Sequence, residues 1–228
     1  MAENKRETST EVAYRRILRK IIDERLAPGT PLRENVLCAE FRLSATPIRE
    51  AFRKLEHEGW LQNLPYRGCF LREYTPEEVE ELFIMRESVE VIAVRRALER
   101  ATPEDMATIE RALAQQRRHL ENDQHGVSLA SESLPATSAD IDFHDAIVQA
   151  SHSPALLQRN NLLRAQIGYV ILLTSRRPAQ GSDLADTLEE HSMVYYALRR
   201  KWGDAAELLI RRHIRGGLEK YLESKCAR

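Results

Sequence analysis

Residues 43–55 read Leu43-Ser44-Ala45-Thr46-Pro47-Ile48-Arg49-Glu50-Ala51-Phe52-Arg53-Lys54-Leu55. Leu43-Ser44-Ala45 is a tight turn. Thr46-Pro47 then opens a helix, because proline at an early helical position gives up an N–H that has no partner there anyway. That helix runs to about Glu58 and stops at Gly59. Upstream, a short helix is expected over about Glu34 to Phe41. Before it Val12, Leu18, Ile21, Ile22 and Leu26 recur at helical spacing until Ala27-Pro28-Gly29 ends the run. Downstream, Trp60-Leu61-Gln62 and Cys69-Phe70-Leu71 flank Asn63 to Gly68, a short hairpin with a basic tip. Three short helices and a hairpin form the winged helix-turn-helix plan, whose third helix enters the DNA major groove by its N-terminal end.

At that end the chain offers Ser44, Thr46 and Arg49. Arginine can bond a guanine edge with two hydrogen bonds, and small hydroxyls serve bases or phosphates. Arg53 and Lys54 one turn on, and Arg67 at the hairpin tip, suit phosphates without reading sequence. Arg49 has an alternative use as an ion-pair partner of Glu34 or Glu50. Arg15, Arg16, Arg19 and Lys20 between the apolar positions of the first helix read first as a solvated face.

The charge distribution agrees with a nucleic-acid-binding front. Residues 1–72 hold 14 Lys and Arg against 10 Asp and Glu, whereas the whole chain of 228 residues has 34 against 35. A basic front and an acidic back imply two domains, 1–74 and 75–228, with different partners. Apolar residues at 43% can build a core, and aromatics at 6% argue against an all-β fold. The longest apolar run, Tyr169 to Leu173, is too short to span a bilayer. The polar N-terminus has no apolar signal segment, and Cys38, Cys69 and Cys226 form no CxxC pair. The expected setting is the reducing cytoplasm, with no membrane partner.

From Thr75 onward the reading is helical. Thr75-Pro76-Glu77-Glu78 and Thr102-Pro103-Glu104-Asp105 are start signals of one kind, a capping threonine, an early proline and an acid at the third helical position. Asn122 to Ser138, rich in serine with Gly126 and Pro135, is expected to be a loop. Further helices are expected over Asp140 to Ala150, from Ser153-Pro154 to before Pro178, from Ser182-Asp183 to about Lys201, and from Asp204 to about Glu223. The fold class is therefore mainly α, a winged helix-turn-helix unit followed by a bundle of about six helices.

Asp140 and His144 are four residues apart and share a helix face, while Asp142 lies about 200° around from both neighbours and points elsewhere. His191 and His213 fall on two later helices. One carboxylate and three imidazoles meeting inside a bundle would suit a divalent transition ion such as Zn, Ni, Mn or Fe(II). A single helical histidine is more often a satisfied core or surface residue, the reading given to His57, His119, His125 and His152. Asp140 with His144 is also compatible with an exposed helical charge pair.

Two sets of motifs carry a resemblance. Pro28-Gly29-Thr30-Pro31-Leu32-Arg33-Glu34, the stretch Leu43 to Leu55, Glu58-Gly59-Trp60-Leu61 and Arg67-Gly68 together resemble the GntR family of bacterial transcription regulators. This resemblance implies DNA contacts for Ser44, Thr46, Arg49, Arg67 and Gly68. The chain departs from the family at Ala45, usually arginine, at Arg42, often glycine, and at Asn35, where some members place a DNA-contacting arginine. Arg86-Glu87-Ser88-Val89-Glu90, Asp140-Ile141-Asp142-Phe143-His144, Glu190-His191, Gly203-Asp204-Ala205-Ala206 and His213 resemble the FCD ligand-binding domain of the FadR subfamily. That resemblance implies one metal ion held by Asp140, His144, His191 and His213, and a small carboxylate effector. It also implies effector contacts at Arg164 and Gln166, since similar Arg-x-Gln pairs line the pocket in some relatives. Arg164 could clamp a carboxylate or lie on the surface. Arg86 is a further effector candidate, with a pair to Glu90, its i+4 neighbour, as its other role. Here the family often shows Gly-Asn-Pro where this chain has His152-Ser153-Pro154.

The function expected is a homodimeric, ligand-responsive regulator of operator DNA, a repressor released by a small organic acid at the metal, and not an enzyme. Two alternatives stand beside it. A metal-dependent hydrolase is one, since histidine-rich sites activate water, though no HExxH arrangement is present. A constitutive DNA-binding protein with a structural metal is the other.

Overall fold

The computed structural model describes residues 7–124, 133–174 and 181–226. Its contacts divide the chain into two compact units that part between Tyr74 and Thr75. The first unit contains α1 (Ser9–Asp23), β1 (Pro31–Leu32), α2 (Glu34–Phe41), α3 (Ala45–His57), β2 (Leu61–Leu64) and β3 (Gly68–Leu71). α1 opens with a reciprocal capping box between Thr8 and Glu11 and buries Ala13, Ile17, Ile21 and Ile22. Those side chains meet Ile48, Ala51 and Leu55 from the inner face of α3, so one apolar stripe from each helix builds the small core. The expected hairpin is β2–β3, pairing Leu61 with Leu71 and Leu64 with Gly68. β1, which sequence reading did not anticipate, pairs with β3 and completes a three-stranded sheet in the order β1-β3-β2.

The second unit contains α4 (Pro76–Arg100), α5 (Pro103–Gln124), α6 (Ser133–Ala150), α7 (Pro154–Thr174), α8 (Gly181–Arg199) and α9 (Gly203–Cys226). Both threonine start signals act as read. Thr75 and Glu78 cap α4 reciprocally, and Thr102 and Asp105 exchange the same pair of bonds before α5. The expected loop from Asn122 to Ser138 is shorter than its composition suggests. α5 continues to Gln124 and α6 begins at Ser133, which places Pro135 in a first turn where a missing N–H costs nothing. Residues 125–132, His125 among them, lie outside the described segments.

Neighbouring helices close a ring. α4 packs on α6 and α9, α6 on α5, α5 on α8, and α8 on α9, while α7 lies against α4 and α6. Gly168 sets the approach of α7 to α6, since a Cβ there would come within 2.8 Å of Ile141 Cδ1. The interior is filled by Phe143, Ile147, Tyr169, Val170, Val194, Ile210, Ile214 and Tyr221. Polar side chains are also buried at its centre, where apolar packing alone would put none.

Candidate metal centre and nucleic-acid interface

α6 contributes Asp140 and His144, α8 contributes His191, and α9 contributes His213. One ligand atom from each of the four lies within 4.8 Å of every other. His213 Nε2 is 3.2 Å from His144 Nε2 and 3.0 Å from His191 Nε2, and Asp140 Oδ1 is 3.6 Å from His191 Nε2. The ring of helices thus brings together residues up to 73 positions apart in sequence, 140 to 213. Asp142 is not part of the group; it faces Arg164 at 3.7 Å.

What each ring does at its other nitrogen defines the site. His144 Nδ1 lies 2.5 Å from Glu90 Oε2, His213 Nδ1 lies 2.8 Å from Glu190 Oε2, and His191 Nδ1 lies 2.9 Å from Gln116 Oε1. An ionised carboxylate only accepts, so His144 and His213 donate from Nδ1. The Gln116 amide is oriented by its Nε2, which donates to the Ala139 carbonyl at 2.9 Å; its oxygen therefore faces His191 and accepts as well. All three protons being placed outward, three Nε2 lone pairs converge on one point. Lone pairs at about 3 Å with no proton between them repel, and a cation at their centre removes that conflict. With bonds of about 2.0–2.1 Å to nitrogen, neighbouring ligands on one ion stand about 3.0–3.4 Å apart, the range found between these rings. The residues present therefore fit a divalent ion.

The electrostatics favour the same protonation states. Burial, then the charge of Arg86, push the His144 ring below its ordinary pKa. Burial, then the neighbouring His213 and His144 rings, push His191 well below. Both stay neutral, as metal ligation requires. Burial alone would raise the Glu90 carboxyl, but His144 and the Arg86 guanidinium beside it hold it down at about 2. Phe143 stacks on the His191 ring at 4.1 Å, fixing its plane.

The effector candidates are placed as follows. Arg86 is buried, and its Nε donates to Glu90 Oε1 at 2.7 Å. Through Glu90 it supports the His144 ring, which is the other role its spacing offered. Arg164 is half-exposed and meets Asp145 Oδ2 at 2.7 Å; Asp145 also accepts from Asn160 at 2.6 Å. An incoming carboxylate would compete with Asp145 for it. Gln166 is half-buried on α7. Sequence reading missed Gln116; it named Glu90 as the i+4 partner of Arg86 and quoted Glu190 only as part of a motif. Glu190 carried the one available signal, adjacency to a candidate ligand.

In the first unit Pro47, Ile48, Ala51 and Leu55 fill the inner face of α3, leaving Ser44, Thr46, Arg49 and Arg53 on the exposed side. Ser44 is the N-cap residue but its hydroxyl makes no cap bond, so the helix does not consume it. Arg49 is held by Glu34 through a two-bond fork at 2.7 and 2.9 Å, one of the two pairings its alternative reading named. Arg53 meets Glu50 at 2.8 Å. Arg67 and Gly68 are exposed at the hairpin tip, where the Arg67 guanidinium lies over the Phe70 ring at 5.5 Å. On α1, Arg16 donates to the Phe41 carbonyl and Lys20 to Glu24 and Glu40, so these two fasten α1 to itself and to α2. Two further residues share a backbone oddity. Arg42 (φ 54°) ends α2, and Tyr66 (φ 61°) sits at the hairpin turn; both are exposed in the left-handed region that glycine favours.

The sequence patterns of two known families cover this architecture. Residues 9–71 match the family "Bacterial regulatory proteins, gntR family", and residues 81–216 match the FCD domain. The galactonate operon transcriptional repressor of Escherichia coli (strain K12) is 31% identical, over 83% of this chain and 86% of its own length. The HTH-type transcriptional repressor RspR of the same organism is 28% identical, over 88% of this chain and 83% of its own. Among solved structures, a GntR transcriptional regulator from Rhodococcus sp. RHA1 superposes with a TM-score of 0.73 at 26% identity, covering 94% of this chain and 97% of that one. No helix among the described residues is long and apolar enough to cross a membrane. The protein is a ligand-responsive, DNA-binding member of the GntR family of bacterial transcription regulators, with an FCD domain as its second unit.

Proposed function

We propose that this regulator is a cytoplasmic, homodimeric repressor whose FCD domain holds a divalent transition ion on Asp140, His144, His191 and His213. A small organic acid bound at that ion releases it from its operator. The observation that carries this reading is the convergence of three ring nitrogens whose opposite nitrogens are each committed to an acceptor. When bound, the ion supplies Lewis acidity and open coordination positions that carboxylate or hydroxyl oxygens can take. The chain's own part is to hold four ligands in place, keep the His144 and His191 rings neutral, and offer Arg164 near the acidic Asp145 as a competing anion partner. At the front, Ser44, Thr46 and Arg49 read base edges, while Arg53, Arg67 and Gly68 fix the unit on the backbone. A hydrolytic role would need a free base beside the ion. Glu90, Glu190 and Gln116 are instead engaged by the rings, which favours sensing over turnover.

The test uses the purified chain, a DNA fragment from upstream of its own gene, and a panel of sugar acids and hydroxy acids. Stoichiometric metal, operator binding at moderate salt, and release by one or more acids are expected. His144→Ala should lose the metal and the response while still binding DNA. Full metal content in that variant would remove the ligand assignment. Operator affinity unchanged across the whole panel would leave a structural ion only.

A further inference from the structure

Two side chains of the first unit stand where glycine would serve the fold better. Arg42 follows α2 at φ 54° and ψ 45°, and its backbone N–H and that of Leu43 both return to the Cys38 carbonyl, the second at 3.2 Å. In helix endings closed this way glycine usually takes the left-handed position. Tyr66 lies in the turn between β2 and β3. The Arg67 N–H returns to the Leu64 carbonyl at 3.0 Å, with Pro65 second in the turn and Tyr66 third at φ 61°. This is the pattern of a type II turn, whose third residue is ordinarily glycine or asparagine. A Cβ in the left-handed region crowds the following carbonyl, so each residue lowers the stability of the unit.

Neither side chain returns anything to the fold. Both are exposed, Tyr66 as fully as in an open chain at 109%. Among the described residues neither makes a side-chain hydrogen bond, ion pair or ring contact within the chain. Arg25, His152 and Lys201 also take positive φ, each two residues beyond the end of α1, α6 or α8. Arg42 and Tyr66 instead flank α3. Arg42 comes two residues before Ser44, the N-cap of α3, whose hydroxyl makes no cap bond. Tyr66 tips the hairpin whose strand β2 packs on α3, next to the exposed Arg67. Strain kept at exposed positions on both flanks of a reading helix points to a contact outside the chain.

The two residues suit different parts of a duplex. A guanidinium beside the start of a helix in the major groove reaches the bordering backbone, where it can grip a phosphate with two bonds. Pro65 fixes the backbone ahead of Tyr66, so the ring is presented in a turn that needs little further ordering on binding. A phenol ring can cover deoxyribose, and its hydroxyl can donate to the acceptors on the minor-groove edge of A·T pairs.

We propose that Arg42 and Tyr66 are DNA contacts for which the first unit gives up stability, Arg42 on a phosphate beside the start of α3 and Tyr66 in the minor groove at the hairpin tip. The proposal rests on α3 entering the major groove, as read above.

The experiment reads stability and DNA affinity on the same full-length variants. Trp60 reports unfolding of the first unit once Trp202, the other tryptophan, is replaced by phenylalanine. Arg42→Gly and Tyr66→Gly should each raise the midpoint of that unit by about 4–8 °C. Both should weaken DNA binding, in different ways. Arg42→Gly should lose about fivefold or more on a fragment from upstream of the gene and on an unrelated fragment alike, and its plot of log Kd against log salt should be less steep by about one. Arg42→Lys, which keeps the charge, should keep the slope. Tyr66→Gly should lose about tenfold on the upstream fragment with the salt slope unchanged, and Tyr66→Phe only a small part of that. A glycine variant with wild-type affinity and salt slope on both fragments would remove its residue from the interface. One that weakens binding while also losing stability would make its residue structural. A wild-type chain that bound neither fragment would overturn the major-groove reading as well.

Discussion

Replacing Glu90 with glutamine tests the metal centre without touching a ligand. Glu90 is buried at 1% exposure between two partners, accepting from His144 Nδ1 at 2.5 Å and from Arg86 Nε at 2.7 Å. Glutamine has nearly the same shape, so the ring has room to stay in place. The lost charge has two consequences. The imidazole becomes a weaker donor to metal, because an anionic acceptor on Nδ1 raises the basicity of Nε2; losses of this kind cost about 10–100-fold in metal affinity, or about 1.4–2.7 kcal/mol. The Arg86 guanidinium also loses its counter-charge inside the bundle, and breaking a buried pair from one side costs about 3–5 kcal/mol of stability. Glutamine has one acceptor oxygen where Glu90 uses two, so it can accept from Arg86 or from His144 Nδ1 but not from both, and a loss within that range is expected. Competition with a chromophoric chelator measures the first effect, and thermal unfolding of the metal-free chain the second. His152→Ala, which removes a surface contact to Asp105 in the first turn of α5, serves as a control that should leave metal affinity unchanged. Wild-type metal affinity in Glu90→Gln, with the fold intact, would refute the claim that Glu90 tunes a ligand.

Three other outcomes follow from particular contacts. Arg49→Ala should cost about 1–3 kcal/mol on the operator and much less on unrelated DNA, as titrations on both sequences would reveal; Glu34→Gln, which frees the same guanidinium and removes a carboxylate from the interface, should tighten binding to both. Arg42→Gly should stabilise the first unit by about 1 kcal/mol, since glycine adopts φ 54° without the Cβ penalty, and an unchanged or lower unfolding temperature would contradict this. The bonds from Arg215 hold the Glu87 carboxyl below its ordinary pKa, against partial burial and with help from Arg211. A depressed carboxyl contributes stability that is present above its unfolded value of about 4.3 and is lost as pH falls through the folded value. Melting temperature should therefore drop below about pH 4.5, and Glu87→Gln should flatten that acid limb.

What the sequence disclosed was local. The proline at an early position of α3, the threonine caps of α4 and α5 and the hairpin around Arg67 depend on neighbours within a few residues, and each appeared where the chain placed it. β1 escaped because Pro31 and Leu32 are too few to show a period; only pairing with Phe70 and Cys69 makes them a strand. The start of α6 escaped because serine and proline signal a loop equally well in a first turn and outside a helix. Asp140 with His144 could be put on one face by counting. His191 and His213 could be joined to them only through a family resemblance, because no periodicity links α6 to α8 and α9. Gln116 had no signal at all, since its amide gains meaning only where α5 passes the ring of His191. The strained backbone at Tyr66 was equally hidden: nothing in Leu64-Pro65-Tyr66-Arg67 says that the tyrosine, and not a glycine, takes the left-handed position.

α4 joins the two kinds of chemistry in this chain. Its inner face carries Arg86 and Glu90, which steady the His144 ring, and its outer face carries Ile84, Ser88 and Ile92. The inward and outward residues interleave at steps of two, so no part of the helix can answer to one face without moving the other. The helix also begins at Pro76, five residues after the last strand of the DNA-reading unit ends at Leu71. A change at an ion held by His144 that loosened or tightened the bond between Glu90 and His144 would act on a charged hydrogen bond worth about 1.5–3 kcal/mol. Allosteric coupling in regulators amounts to about 1–3 kcal/mol, so one such bond is of sufficient size to shift operator occupancy. A relay of many residues is therefore unnecessary. The bond from His144 to Glu90, on one rigid helix, would supply a coupling of that size by itself.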